Sequence, residues 1–171
     1  MKLREAILKE HSKAQCNKII NWIGNHQTNF DQLFSLFLND EYRVVQKAAW
    51  PISNCVIKHP QLIKKHWQKL ILNLQKPNLH NAVKRNSLRL LQDIDIPEKY
   101  QGQLMDICFE FLQSPTEALA VKVYSMTVLA RLSKIYPEII PELKLIIEDQ
   151  SPSQTAGFKS RAKKVFKVLA T

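Results

Sequence analysis

The chain has 171 residues, 45% of them hydrophobic, with 25 Lys and Arg against 15 Asp and Glu, so a packed core is expected in a strongly basic protein of net charge +10. Its three glycines, Gly24, Gly102 and Gly157, stand far apart, which excludes a glycine-rich phosphate loop and a dinucleotide fingerprint. Charges interrupt Met1 to Glu10 where a signal peptide needs an apolar run, and no window of about 18 uncharged apolar residues could span a bilayer, so a cytoplasmic protein is predicted.

In chain order, Leu3 and Ile7 share one face of a short helix, and Ser12-x-x-Gln15 has the form of a capping box opening a second, with Cys16, Ile19, Ile20 and Ile23 as its core face. Leu33, Phe34 and Phe37 follow at helical spacing, then Trp67, Leu70, Ile71 and Leu74, then Leu104, Ile107, Cys108 and Phe111, then Leu143, Ile146 and Ile147. Each of these four segments leads into a second helix in a shared register. Taking Val45, Val83, Val121 and Phe158 as reference, four residues on stand Ala49, Ser87, Ser125 and Ala162, all small. Seven on come Ile52, Leu90, Val128 and Val165, and eleven on come Val56, Ile94, Leu132 and Leu169. Offsets of 0, 4, 7 and 11 lie on one helix face. Five residues before each reference, Asp40, Asn78, Thr116 and Ser153 are expected as N-caps. Two proline series, Pro60/Pro97/Pro137 and Pro77/Pro115/Pro152, recur every 37 to 40 residues and mark helix junctions, since proline suits a first turn or a helix end. The expectation is five helical hairpins, roughly 1–25, 26–58, 59–96, 97–136 and 137–171, in one domain over 1–171. A hairpin cannot cover its own apolar face, so neighbours must stack.

The cap, the hydrophobic-basic pair and the small residue carry a family resemblance: Val83-Lys84 with Ser87, Val121-Lys122 with Ser125, Phe158-Lys159 with Ala162. The whole chain resembles HEAT/armadillo-type α-solenoids, and the resemblance implies an all-α, right-handed α-α superhelix. At Asp40, Val45-Gln46 departs from the pattern by offering an amide in place of the base. The chain is also similar to short bacterial HEAT-like proteins sometimes labelled automatically as adenylosuccinate lyase. That enzyme's glycine- and serine-rich loop with its Met-Pro-x-Lys-x-Asn core is absent here.

Charge is sorted by helix. Residues 41–58, 79–96, 116–135 and 155–171 hold 14 basic and 4 acidic side chains, and the rest of the chain holds 11 of each. In HEAT-like folds second helices line the concave surface, so the resemblance implies a basic concavity. Its candidate binding residues are Lys47, Trp50, Lys58, Arg85, Arg89, Lys134, Lys163, Lys164 and Lys167, with Leu88 and Met126 as exposed apolar contacts. A one-signed groove attracts polyanions, so an acidic protein or peptide is the expected partner and nucleic acid the alternative. Trp50 is the one aromatic candidate for stacking on a base; Trp22 and Trp67 sit among apolar neighbours and belong to the core.

No catalytic chemistry is expected. Cys16, Cys55 and Cys108 are odd in number and far apart, which predicts unpaired buried thiols rather than disulfides. Cys55 and His59 lack further metal ligands, and His11, His26, His66 and His80 match no ligating or triad spacing. HEAT-like alkylpurine DNA glycosylases place an Asp beside tryptophans in their groove, and the inner faces here carry Trp50 without an Asp. A non-enzymatic interaction scaffold without cofactor or metal is the reading.

Overall fold

In the computed structural model, which describes residues 1–171, α1 (Leu3–Lys9) and α2 (Lys13–Ile23) make the first hairpin. Ser12 Oγ accepts from Gln15 N at 3.1 Å, as the capping box predicts, but the Gln15 side chain turns to the Ala6 carbonyl and fastens α2 to α1. Gly24 ends α2 at φ +50°, a conformation that favours glycine. The second hairpin pairs α3 (Gln27–Asn39) with α4 (Tyr42–Lys58), and Phe30, Leu33, Phe34 and Phe37 of α3 are fully buried against it. The third begins with a 3-10 segment, Pro60–His66, which buries Leu62 and Ile63 before α5 (Trp67–Leu74) and α6 (Asn81–Leu91). These three hairpins form one compact unit, Met1–Ile94, in which α4 packs on α1, α2, α3 and α6.

A second compact unit, Asp95–Thr171, holds α7 (Glu98–Gln113), α8 (Leu119–Leu132), α9 (Ile140–Gln150) and α10 (Ala156–Leu169). Short 3-10 segments at Pro137–Ile139 and Ser151–Ser153 flank α9. α7 packs on α8, and α10 lies along α8 and closes on α9. Ten α-helices with no strand, arranged as five hairpins, give the expected all-α repeat architecture.

The prolines sit where the repeat places them. Pro60 and Pro137 open first-helix segments, Pro97 is the N-cap of α7, and Pro77, Pro115 and Pro152 lie in the turns inside hairpins. The small residues Ala49, Ser87, Ser125 and Ala162 are all buried, and of the first-helix residues expected in the core only Ile146 is half-exposed. Trp67 is buried, whereas Trp22 is half-buried.

The structure corrects two expectations. The caps of α4, α6, α8 and α10 are Glu41, His80, Ala118 and Thr155, one or two residues after the predicted ones. The turns need those residues themselves: Asn78 adopts φ +56° after Pro77, and the His80 ring accepts from Ala82 N at 2.9 Å. Asp40 instead accepts both Glu41 N at 2.7 Å and the Arg4 guanidinium at 3.1 to 3.2 Å, so the base missing beside Val45 arrives from α1. Val45 is only half-buried, because the buried face of α4 is centred on Val44, Ala48, Ala49 and Ile52 and Val45 lies at its margin.

Candidate functional site

Five candidate residues lie in the first unit. Lys58, in the last turn of α4, and Arg85, on α6, are exposed. Lys47 is half-buried and its Nζ donates to the Leu8 carbonyl at 3.0 Å, tying α4 to the end of α1. Arg89 is also half-buried: its guanidinium donates to Ser53 Oγ at 3.0 Å and Asn54 Oδ1 at 3.3 Å, linking α6 to α4. Lys47 and Arg89 are therefore joints between hairpins. A long basic side chain at such a position reaches a carbonyl or hydroxyl of the neighbouring hairpin while its stem covers apolar surface. Trp50 is half-buried in a cleft beside Lys47 and Pro51, its ring centroid 5.7 Å from that of His11.

The second unit holds Lys134, exposed beyond α8, and Lys163, Lys164 and Lys167, all exposed on α10. Lys159, outside the predicted set, is exposed on the same helix, and no ion pair engages any of these four α10 lysines. Arg161 points the other way, donating to Thr127 Oγ1 at 2.7 Å with its guanidinium 5.9 Å from the Tyr124 ring centroid. Leu88 and Met126 are not contact residues: both are fully buried. For Met126 the reason is that the hairpin of α9 and α10 stacks beside α8.

Charge in this unit is divided between its first and second helices. Residues 116–135 and 155–171, carrying α8 and α10, hold eight basic side chains and one acidic. Residues 95–113 and 136–150, carrying α7 and α9, hold eight acidic and two basic. The unit is thus nearly neutral yet strongly polarised, and α10 with its flanks has no acidic residue at all.

Two clusters lay beyond the reach of sequence reasoning. Asp31 on α3 accepts from Lys65 Nζ at 2.5 Å and Gln27 Nε2 at 2.9 Å, and lies 2.7 Å from His66 Nε2. Burial works to raise the Asp31 pKa, but these donors outweigh it and hold the carboxyl at about 2. The His66 ring is packed 4.3 Å from the Phe34 centroid, and its pKa is lowered by burial despite the carboxylate. A cleft of about 360 Å³ beside them is lined by Ser35, Asn39, Lys65 and Lys69. In the second unit Lys122, 4% exposed, donates to Gln150 Oε1 at 2.8 Å, and Gln150 Nε2 donates to the Leu112 carbonyl at 2.7 Å. Partners 28 to 38 positions apart leave no local signature. The α10 lysines do: Lys159, Lys163 and Lys167 recur every fourth residue.

Nucleophilic chemistry has little support in this arrangement. Burial pushes Cys16 up to about 11 and Cys55 to about 12, and raises Cys108 too, which keeps these free thiols protonated and inert. No group of three or more His, Cys, Asp or Glu residues is placed to hold a metal ion. No helix is long and apolar enough to cross a membrane.

A family model described as HEAT repeat domain matches residues 3–169. No curated protein and no solved structure matches the chain.

Proposed function

The chain belongs to the HEAT repeat domain family, whose members generally serve as protein-interaction scaffolds, and from that premise we propose that it is a non-enzymatic scaffold for an acidic protein or peptide. Each unit offers exposed cations on its second helices, Lys58 and Arg85 in the first and Lys134, Lys163, Lys164 and Lys167 in the second. The observation that carries this reading is α10, where Lys159, Lys163, Lys164 and Lys167 are exposed, unpaired and without a neighbouring acid in the helix. Exposed lysines keep their charge available to a partner, and a one-signed surface raises the local concentration of its counter-ion. An acidic protein fits better than nucleic acid because single-strand binding also calls for open aromatic faces. The one candidate, Trp50, is half-buried beside His11. Three buried free thiols suit a reducing compartment such as the cytoplasm.

The test is fluorescence anisotropy with a labelled poly-glutamate peptide, and with single- and double-stranded DNA and RNA, across a salt series. The expected result is salt-sensitive peptide binding that falls about 10-fold or more in Lys163→Glu/Lys164→Glu/Lys167→Glu, with the helical circular dichroism spectrum unchanged. Stronger binding to duplex DNA, with a log-log salt slope near −4 to −5, would replace the acidic protein by a phosphate backbone.

A further inference from the structure

We propose that the outer face of α10 is a seat for one acidic amphipathic helix of a partner protein, gripped by an apolar ridge and steered by a lysine ridge beside it. This rests on the acidic-partner reading above and gives it a location.

The two ridges follow from helix geometry. Ala162, Phe166 and Ala170 stand four apart, as do Lys159, Lys163 and Lys167, and rows at i, i+4, i+8 run side by side along a helix. With Ser151 of the 3-10 turn as the opposite wall, these six side chains line a shallow open groove of about 520 Å³. Phe166 is half-buried there, Ala162 forms the floor, and the three lysines and Ala170 are exposed.

The same face on α8 shows what such a groove is for. In the repeat register the six residues correspond to Lys122, Ser125, Met126, Leu129, Ala130 and Ser133, each 37 positions earlier. All six are buried: Ser125 faces Cys108 of α7 in its own hairpin, while on the open side α9 and α10 of the following hairpin pack beside α8 and Lys122 reaches Gln150 at the end of α9. The face of α10 is therefore built to the plan of one that takes a helix. Leu129 is retained as another large apolar residue, Phe166, while Met126 and Ala130 become Lys163 and Lys167. Because the apolar anchor survives and the surround turns cationic, the occupant should present a narrow apolar stripe flanked by carboxylates. A second copy fits badly, since its first hairpin, residues 1–24, holds five basic side chains against two acidic and would bring like charge to the seat. From Lys159 to Ala170 the seat is about 17 Å long, the length of about 12 helical residues.

Anisotropy with two labelled peptides of about 14 residues tests this. Both carry the same number of glutamates; one has Leu at i, i+3 and i+7, and the other has Gln at those places. Variants are Phe166→Ala, Ala170→Arg and Lys163→Glu/Lys167→Glu. Ala170 is exposed, so Ala170→Arg fills the groove without removing charge or core, and its thermal midpoint should match the parent. The Leu peptide should bind about 10-fold tighter than the Gln peptide. Phe166→Ala and Ala170→Arg should each erase that advantage, while the charge reversal weakens both peptides. If both bind equally and neither groove variant matters, the seat is wrong although the acidic-partner reading stands. If neither peptide nor poly-glutamate binds, that reading fails first. Sedimentation velocity showing a concentration-dependent dimer that Ala170→Arg dissolves would assign the seat to a second copy and overturn the proposal.

Discussion

The Asp31 carboxylate is solvated by protein groups: Lys65, Gln27 and His66 stand where water would. Its pKa near 2 means the folded protein keeps it ionised where the unfolded chain would take a proton, below about pH 4. His66 is displaced downward by burial, so the folded protein holds it neutral while the unfolded chain binds a proton below about pH 6.5. His80 shifts the same way, by burial first and then by Arg85, and its ring nitrogen must stay unprotonated to cap α6. In each case the unfolded state binds more protons, so stability falls with pH, through the histidines first and Asp31 last. The urea midpoint should drop between pH 7 and pH 5, and His66→Gln/His80→Asn should flatten that slope while keeping a hydrogen-bonding side chain at both places. An unchanged slope would remove the histidines from the account. None of this was legible in the sequence, because His66 reads as an isolated histidine until a contact 35 residues away is known.

At the scale of the helix, the readable features were those that repeat. Small residues at Ala49, Ser87, Ser125 and Ala162 recur because first and second helices approach there, and all are buried. Ser125→Leu should overpack that approach and lower stability by about 1 to 3 kcal/mol, whereas Leu129→Ala should open a cavity costing about 2 to 5 kcal/mol. Both are read from urea midpoints at constant slope, and a neutral Ser125→Leu would contradict the register. The caps were misplaced because each turn spends one or two extra residues before its helix starts, as the left-handed Asn78 shows. Inward cations were misread for another reason: position along a helix does not say whether a guanidinium meets solvent or a neighbour. Arg89 meets Ser53 and Asn54, so Arg89→Ala should destabilise by about 1 to 3 kcal/mol, as loss of charged hydrogen bonds does. Exposed Arg85→Ala should cost less than about 0.5 kcal/mol. Equal effects would deny Arg89 its role as a joint.

For the molecule as a whole, net charge and charge placement have separate consequences. Residues 1–94 hold 15 basic and 6 acidic side chains, whereas residues 95–171 hold 10 and 9. Most of the long-range field therefore comes from the first unit, although the proposed seat is on α10. Long-range attraction accelerates encounter, and short-range contact slows departure. Reversing two exposed lysines of α2, Lys13→Glu and Lys18→Glu, should slow association of the Leu-bearing acidic peptide severalfold at low salt and leave its dissociation rate unchanged. Lys163→Glu/Lys167→Glu should slow association too, but should also speed dissociation, because those ammonium groups touch the bound helix. Stopped-flow fluorescence at low and at physiological salt separates the two cases, and raising the salt should remove the α2 effect almost entirely. Faster dissociation from the α2 variant would mean that the peptide also contacts the first unit. An unaltered association rate would mean that net charge plays no part in capture, and that α10 alone supplies the field the peptide feels.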